Sequence, residues 1–438
     1  MRAAKIYQRQ WGLIHLPIWV SAVAGFLWLS THYMPMPPEQ VSITTGRIGG
    51  MYHEHAKRYA EIFARSGLPL NIRESAGSGE NLSRLRSSLG DAADIGFVQG
   101  GYALSERLVA DTPGVQTLAQ VDIEPIWVFT RLRDVDSLLR LQGARVTMGQ
   151  PGSGSRAVAV RMFEQVRLEV KDLVISETVG MEIVPALREG RVDAAIFVAS
   201  VNAPLVQALL KTPGVYLAQL KRSAALSERM PYLDARFVAA GSLNSSRLQP
   251  PQDSVLLSTL ASVLVREDLH PMVKRLLAQT VLQTHSGGGP LHPVGEFPHL
   301  KRLEFPSAPQ ARDVLRNGYP WLEQHLSLPM AQWIYRLLFI GLPLFLIAYM
   351  LSRFIPIYLH WRIESGINRW YGELKFIEND LNDSQTGGLD IARFRKKLLA
   401  ISEQLSQLKA PRVYMQRLYM LQQHIKFVQD SMSRRHGR

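Results

Sequence analysis

Two turns rich in glycine and serine carry groups that could bind a ligand. Each turn follows a short apolar run typical of a strand and precedes a run typical of a helix. The carboxyl ends of neighbouring parallel strands and the N-termini of the following helices meet at one edge of a sheet, so the free N–H groups of both turns would converge on one anion. The binding candidates in these turns are Gly49, Gly50, Tyr52, Ser75, Gly77, Ser78 and Asn81.

A third turn of the same kind occupies residues 149–156. It ends in Gly-Ser-Arg instead of the Gly-Lys-Ser/Thr of an ATP-binding loop, and a Gly-x-Ser-x-Gly nucleophile motif is missing. The first turn lacks the Gly-x-Gly-x-x-Gly order of a dinucleotide site, so we expect neither an enzyme nor a nucleotide cofactor. The remaining binding candidates are this turn, a strand-end amide and two arginines that could neutralise an anion: Gly152, Ser153, Gly154, Ser155, Arg156, Gln99 and Arg131.

Each candidate also has an interpretation without a ligand. Ser78 could merely cap a helix, Gln99 could be a polar residue at a strand end, and Arg156 could be solvated. His53 and His55 lie on different sides of a helix, unlike the i, i+4 pair of a zinc protease. The other histidines considered for zinc lie in a stretch rich in glycine and proline: His285, His292 and His299. We predict no metal and no cofactor.

Composition excludes several functions. The 438 residues are 46% hydrophobic and 20% charged, which is typical of a globular protein with some membrane-embedded sequence. Cysteine is absent, which rules out disulfides and thiolate chemistry. Of the net charge of +13, the first ten residues carry +3, residues 41–325 carry +3 and residues 361–438 carry +6. The excess lies beside apolar segments, as the positive-inside rule expects of cytoplasmic flanks, so nucleic-acid binding is not expected.

Two apolar segments predict transmembrane helices. Residues Trp11 to Ser30 carry no formal charge and would span roughly 30 Å as a helix, the thickness of a bilayer core. A cleaved signal peptide is the alternative, but no small-x-small site follows, which favours an uncleaved anchor. The second segment runs from about Trp333 to Trp361. Two spans with basic flanks, including Arg2 and Lys5, would place both termini in the cytoplasm and residues 41–325 outside it.

Between the spans, apolar runs alternate with helical patterns, which predicts parallel sheets covered by helices. We expect two α/β lobes with a cleft between them, joined by a crossing strand at 126–131. Lobe 1 would comprise about 41–125 and 236–325, and lobe 2 about 132–235. Strands are predicted at 41–44, 70–74, 94–98, 145–148, 173–175, 194–198 and 236–240, and helices near 254–265 and 271–284.

The tail after Trp361 has a heptad pattern. A turn containing Gly387 and Gly388 would fold two helices against each other, and a third helix beginning at Pro411 could complete a small bundle. The tail could also mediate homo-oligomerisation. The two predicted seams are Ile367, Trp370, Leu374, Ile377, Leu381, and Ile391, Phe394, Leu398, Ile401, Leu405, Leu408.

Three segments closely resemble the solute receptors of the TAXI type, which serve tripartite ATP-independent periplasmic (TRAP) transporters. They are 42–52 (Ser-Ile-Thr-Thr-Gly-Arg-Ile-Gly-Gly-Met-Tyr), 75–82 (Ser-Ala-Gly-Ser-Gly-Glu-Asn-Leu) and 93–99 (Ala-Asp-Ile-Gly-Phe-Val-Gln). The resemblance implies a periplasmic-binding-protein-like (type II) fold, a cleft position for Tyr52 and a permease partner. The chain departs from the family with Met51 for a usual valine, Ser155 for threonine, and Asn202 where a small residue is expected.

The sequence thus predicts a membrane-tethered, extracytoplasmic solute-binding subunit that presents a small organic anion, a carboxylate or amino acid, to a TRAP permease. Its predicted parts are a basic N-terminus (1–10), helix one (11–33), the binding domain (41–325), helix two (333–360) and a helical tail (361–438) in the cytoplasm. The alternative is a ligand sensor that signals through this tail.

Overall fold

The computed structural model describes residues 11–106, 108, 114–383, 391–407 and 414–436. The contacts divide the chain into two compact units: Met36–Ile334, and Met1–Pro35 together with Tyr335–Arg438. Each unit has a hydrophobic core of its own. The predicted basic N-terminus, residues 1–10, lies outside the described residues.

The unit Met36–Ile334 contains a sheet of ten strands, in the order β2-β1-β3-β10-β4-β7-β5-β6, with β8 paired to β4 and β9 paired to β10. β1 is parallel to β2 and β3, and β5 is parallel to β6 and β7. The strands are β1 (Val41–Thr44), β2 (Leu70–Arg73), β3 (Ile95–Gln99), β4 (Val115–Thr130), β5 (Arg145–Thr147), β6 (Val174–Ile175), β7 (Ala194–Val198), β8 (Tyr216–Leu217), β9 (Asp234–Val238) and β10 (Ser254–Arg266).

Helices connect these strands, as expected for an α/β fold. Short 3₁₀ turns occur at Leu138–Leu141, Val170–Asp172, Gly180–Glu182 and Ser245–Arg247. The helices of both units are α1 (Leu16–Tyr33), α2 (Met51–Arg65), α3 (Ser78–Arg86), α4 (Tyr102–Ser105), α5 (Gly154–Gln165), α6 (Ile183–Arg188), α7 (Pro204–Lys211), α8 (Ser223–Arg229), α9 (Pro271–His285), α10 (Pro309–Asn317), α11 (Trp321–His325), α12 (Leu328–Arg336), α13 (Leu342–Asp383), α14 (Ile391–Gln407) and α15 (Met415–His436).

The long strand β4 joins two lobes. Its first part pairs with β10 as far as Pro125, and its last residues, from Ile126, pair with β7 and β8. We call β1, β2, β3, β9 and β10 with their helices the first lobe, and β5 to β8 with theirs the second lobe. The strand pairing confirms the predicted α/β class with a crossing strand.

Two expectations for the crossing region were wrong. The crossing strand begins at Val115, well before the predicted Ile126, because Pro125 lies inside it where the pairing passes from β10 to β7. Residues 254–265 form the strand β10 instead of a helix. Most residues of β10 are buried because it lies between β3 and β4, and such a run cannot be told from a buried helix by its apolar pattern.

Among the described residues, two helical segments are long and apolar enough to cross a membrane, Gly12–Tyr33 and Leu328–Asp380. The second segment has a π-helical turn at Leu337–Gly341, just before Pro343, which cannot donate a backbone hydrogen bond. From Leu342 the helix continues through Pro356 to Asp383. The predicted second span and the first tail helix are therefore one uninterrupted helix.

The tail helices share a core, which confirms the predicted seam where the structure describes it. This core joins the C-terminal part of α13 to α14 and α15. The predicted glycine turn, Leu408 and Pro411 lie outside the described residues. The buried core residues are Ile367, Leu374, Ile377, Leu398, Ile401, Leu405, Tyr414, Leu418, Leu421, Ile425 and Val428.

Candidate functional site

A cavity of about 600 Å³ lies between the two lobes, and we call it the cleft. The first lobe contributes the glycine-rich turn before α2, the second turn before α3, and the end of β3. The second lobe contributes the turn before α5 and the segment that follows β7. Among the lining residues are Gly49, Gly50, Tyr52, Gly77, Ser78, Gln99, Ser153, Gly154 and Ser155, all of them predicted candidates.

The cleft is bordered by the N-termini of three helices, α2, α3 and α5. The first N–H groups of a helix have no acceptor inside it, and the helix dipole makes this end positive. At α5, Ser153 is the N-cap and its Oγ accepts the N–H of Arg156 at 3.3 Å. The N–H groups of Gly154 and Ser155 have no acceptor within the helix. This arrangement suits an anion.

Gln99 supplies a donor from the first lobe. Its side chain is 5% exposed, and its Nε2 has no hydrogen-bond partner among the described residues. A Cβ on Gly154 would lie 2.6 Å from Gln99 Oε1, so the amide packs directly against the start of α5. A buried N–H without a partner is costly, and a ligand oxygen would satisfy it.

The lobes touch beside the cleft. The backbone N–H of Gly79, in α3, donates to the carbonyl oxygen of Gly152, at 3.1 Å. Gly77 lies against Ser153, because a Cβ at Gly77 would be 3.6 Å from Ser153 Cα. These contacts join the first lobe to the second, so the structure shows the lobes closed on each other at this edge.

Tyr52 and Glu124 form the polar wall of the cleft on the first-lobe side. The Tyr52 hydroxyl donates to Glu124 Oε2 at 2.7 Å, and its ring stacks on Phe97 with 4.8 Å between ring centroids. Burial raises the pKa of Glu124 to about 8, with a smaller upward contribution from Asp122 and an opposing one from the Tyr52 hydrogen bond. Burial, followed by Glu124, raises the pKa of Tyr52 well above its usual value.

Glu124 was not among the binding residues predicted from the sequence. It lies in the part of β4 that was not predicted as a strand, although two acids two residues apart in an apolar run, Asp122 and Glu124, were a readable signal. Arg47, inside the quoted glycine turn, was also passed over as a cation. Its exposed side chain belongs to the cleft lining.

Two predicted site residues, Ser75 and Asn81, support the turns instead of lining the cleft. Ser75 Oγ donates to the carbonyl of Thr45 and accepts the N–H of Gly77. Asn81 is fully buried, and its amide donates to the carbonyls of Thr45 and Phe97.

The interpretation of Ser78 as a capping side chain was wrong. The N-cap residue of α3 is Gly77, with no side-chain cap. Ser78 Oγ instead accepts the backbone N–H of Gln99 at 2.9 Å and so ties α3 to the end of β3.

The structure does not bring the two predicted charge partners to the cleft. Arg156 Nη1 lies 3.2 Å from Glu177 Oε1, and Arg131 pairs with Asp193 near the far end of β4. Gly152 lines a separate cavity of about 400 Å³ together with Arg156. Sequence spacing could not reveal these ion pairs, because each partner comes from a distant element.

The domain also contains a larger cavity and a pair of buried histidines. The larger cavity, of about 810 Å³, lies between the loop after β4 and the start of β10, where Lys221 already pairs with Asp136 at 2.8 Å. The rings of His55 and His285 lie 4.6 Å apart, and burial lowers the pKa of both. Among the described residues there is no group of three or more potential metal ligands.

The chain is similar to one protein family over part of its length and, more remotely, to several solved structures. Residues 43–245 match the model of the NMT1-like family. Similar solved structures include a protein from Bordetella bronchiseptica RB50, with 18% identity over 56% of this chain and 70% of that chain and a TM-score of 0.40. The periplasmic aliphatic sulphonate binding protein SsuA from Escherichia coli has 17% identity over 57% and 75%, with a TM-score of 0.35. A nutrient binding protein from Burkholderia cenocepacia bound to methionine has 16% identity over 64% and 96%, with a TM-score of 0.32. At such identities no residue role follows from these likenesses.

Proposed function

We propose that this protein is a membrane-tethered solute-binding subunit that closes its two lobes on a small organic anion and presents it to a separate permease. One observation carries the proposal: donors from both lobes border a single cleft. The start of α5 in the second lobe faces Gln99 and the start of α2 in the first. An anion that bridges them would bind the closed form better than the open form, which is the condition for a ligand to drive closure.

The TRAP permease as partner rests on the resemblance of the cleft turns to TAXI-type receptors. The extracytoplasmic position of residues 41–325 rests on two candidate spans and on the positive charge beside them. In this arrangement both termini are cytoplasmic, and the spans keep the receptor near its permease. No chemical change of the solute is proposed.

A thermal-shift screen of the full chain in detergent tests this function. Dicarboxylates, oxo acids and amino acids are the probes, and a ligand present at 100 times its Kd should stabilise the fold by about 2.7 kcal/mol. Gln99→Leu removes the unpaired donor at nearly constant volume and should weaken binding of the hit about tenfold. The same change at the exposed Gln324 is the control. Stabilisation by neutral solutes alone would contradict the anion assignment.

A second candidate function is ligand sensing. It is favoured by the uninterrupted helix α13, which contains part of the second candidate span and also contributes Ile367, Leu374 and Ile377 to the tail core. A displacement of the span would therefore be transmitted to the tail without a hinge. Ligand-dependent crosslinking between cysteines placed in α13 and α15, with no effect of tail deletion on solute uptake, would support sensing over transport.

A further inference from the structure

Two carboxyl groups project from the same face of the crossing strand at the cleft. Asp122 and Glu124 are two residues apart in β4, and both are largely buried. Glu124 lines the cleft, whereas Asp122 lines an adjoining cavity, and Ser200 lines both. The acids are therefore neighbours at the boundary between the two cavities.

Glu124 lacks a basic partner in the part of the chain that the structure describes. Its carboxyl accepts the Tyr52 hydroxyl, and its cross-strand neighbour on β10 is Thr259. His292 Nε2 lies 3.5 Å from Asp122, so this imidazole serves the other acid. Arg47 is the basic residue among those that line the cleft, and it is exposed. A buried carboxylate without a cation is costly, and a cation brought by the ligand would remove that cost.

We propose that the cleft takes a small zwitterion, an α-amino acid, with its ammonium group beside Glu124 and its carboxylate at the start of α5 and Gln99. This inference rests on the proposed function and names its solute class. The donors and the acid line one cavity of about 600 Å³, which can enclose a small solute. An anion without an amine would leave Glu124 as unpaired as it is in the closed lobes.

The proton balance of binding distinguishes the two cases. With a pKa of about 8, Glu124 is mostly protonated at pH 7 in the ligand-free protein. An ammonium group favours the carboxylate, so binding should release up to about 0.9 proton per site at pH 7. Affinity should then rise by as much as about tenfold from pH 6 to pH 7.

A solute without an amine would reverse the sign of the proton exchange on binding. Its anionic group would favour the protonated form of Glu124, so binding at pH 7 would take up at most about 0.1 proton per site, and affinity would fall as the pH rises through about 8. The other ionisable groups around Glu124 are Tyr52 from α2, Asp122 on its own strand with His292, and Arg47. Of these, His292 pairs with Asp122 and not with Glu124.

Calorimetry on the full chain in detergent tests the inference. L-alanine, L-leucine, L-phenylalanine and L-glutamate are each compared with the 2-oxo acid of the same skeleton, in phosphate and in Tris, whose ionisation enthalpies differ. At least one amino acid should bind with proton release, and its oxo acid should bind at least tenfold more weakly. Glu124→Gln should abolish the proton release and weaken amino-acid binding at least tenfold, whereas Glu61→Gln, an exposed change in α2, should do neither.

Proton release by the wild-type chain is measured without any variant, so a Glu124→Gln protein that misfolds does not decide the matter. Proton uptake, or an oxo acid that binds as tightly as its amino acid, overturns the zwitterion and leaves the solute-binding function standing. Failure of all the probes of both classes to bind overturns the zwitterion and the proposed function together.

Discussion

Replacement of Gly79 by alanine should hold the two lobes apart. A Cβ at this position would lie 2.6 Å from the carbonyl oxygen of Gly152, well inside van der Waals contact. It would also meet the hydroxyl of Tyr102, a buried ring that must move as well. The Gly152 carbonyl is backbone at the edge of the second lobe, so the lobes must separate by several tenths of an ångström or more. The separation also breaks the hydrogen bond from the Gly79 N–H.

The energetic cost falls on the closed form. Loss of one backbone hydrogen bond costs about 1 kcal/mol, and forced overpacking costs at least about 1 kcal/mol more. A total of about 2 kcal/mol lowers the ratio of closed to open forms roughly thirtyfold. Any solute that binds the closed form should lose affinity by a similar factor. Alanine is a better helix former than glycine, so the fold of the first lobe should not weaken through helix propensity.

The chain contains no cysteine, which makes distance measurement by site-directed spin labelling direct. Labels at Glu61→Cys in the first lobe and Lys211→Cys in the second, both exposed, report the separation of the lobes. The Gly79→Ala chain should show a longer distance than wild type. Gly90→Ala is the matched control, because a Cβ there meets nothing within 4 Å. An unchanged distance distribution in the Gly79→Ala chain would refute the idea that this contact limits closure.

Three further predictions concern stability. Glu124→Gln should stabilise the fold relative to wild type by an amount that grows from pH 5 to pH 8, up to about 5 kcal/mol. The reason is that the raised folded-state pKa of Glu124 makes the wild type lose stability as the pH rises towards about 8. Melting curves across this pH range check the prediction, and a stability difference that does not change with pH would contradict it. Glu323→Ala should lower the free energy of unfolding, measured in urea, by about 3 kcal/mol, because the Glu323 side chain is 0% exposed and Arg275 Nη2 donates to it at 2.6 Å. A decrease below about 1 kcal/mol would show that the ion pair is dispensable. Leu421→Ala should raise hydrogen exchange in α15 by removing a buried side chain of the tail core, whereas the exposed Tyr419→Ala should not; equal exchange in the two variants would place Leu421 outside that core.

The turns of the cleft could be predicted because they depend on local chemistry. Gly77 has a φ of 131°, which side chains rarely allow, and the strand, turn and helix pattern around it is legible in a short window. The segment 254–265 could not be assigned in this way. Its apolar run fits a buried strand or a buried helix, and only its place between β3 and β4 decides.

The charged residues show the same limit, because their contacts with distant elements could not be predicted from the sequence. Arg156 and Arg131 were chosen because they lie near the turns or the crossing strand in sequence, but their side chains reach Glu177 and Asp193. Glu124 was overlooked because it lies before the predicted start of the crossing strand at Ile126, although the carboxyl lies in the cleft wall. The partner of a charge is set by distances through space, which sequence separation does not contain.

The sequence by itself determined the α/β class, the two apolar segments, the heptad core of the tail and the three donor-rich turns. Hydrophobic periodicity and glycine conformation depend on a few neighbouring residues, so these features can be predicted from short stretches of sequence. Only the tertiary structure decided that the turn before α5 meets Gln99 across the cleft, and that Glu124 is buried without a cation. Burial and contact depend on how the lobes pack, which is a property of the whole domain.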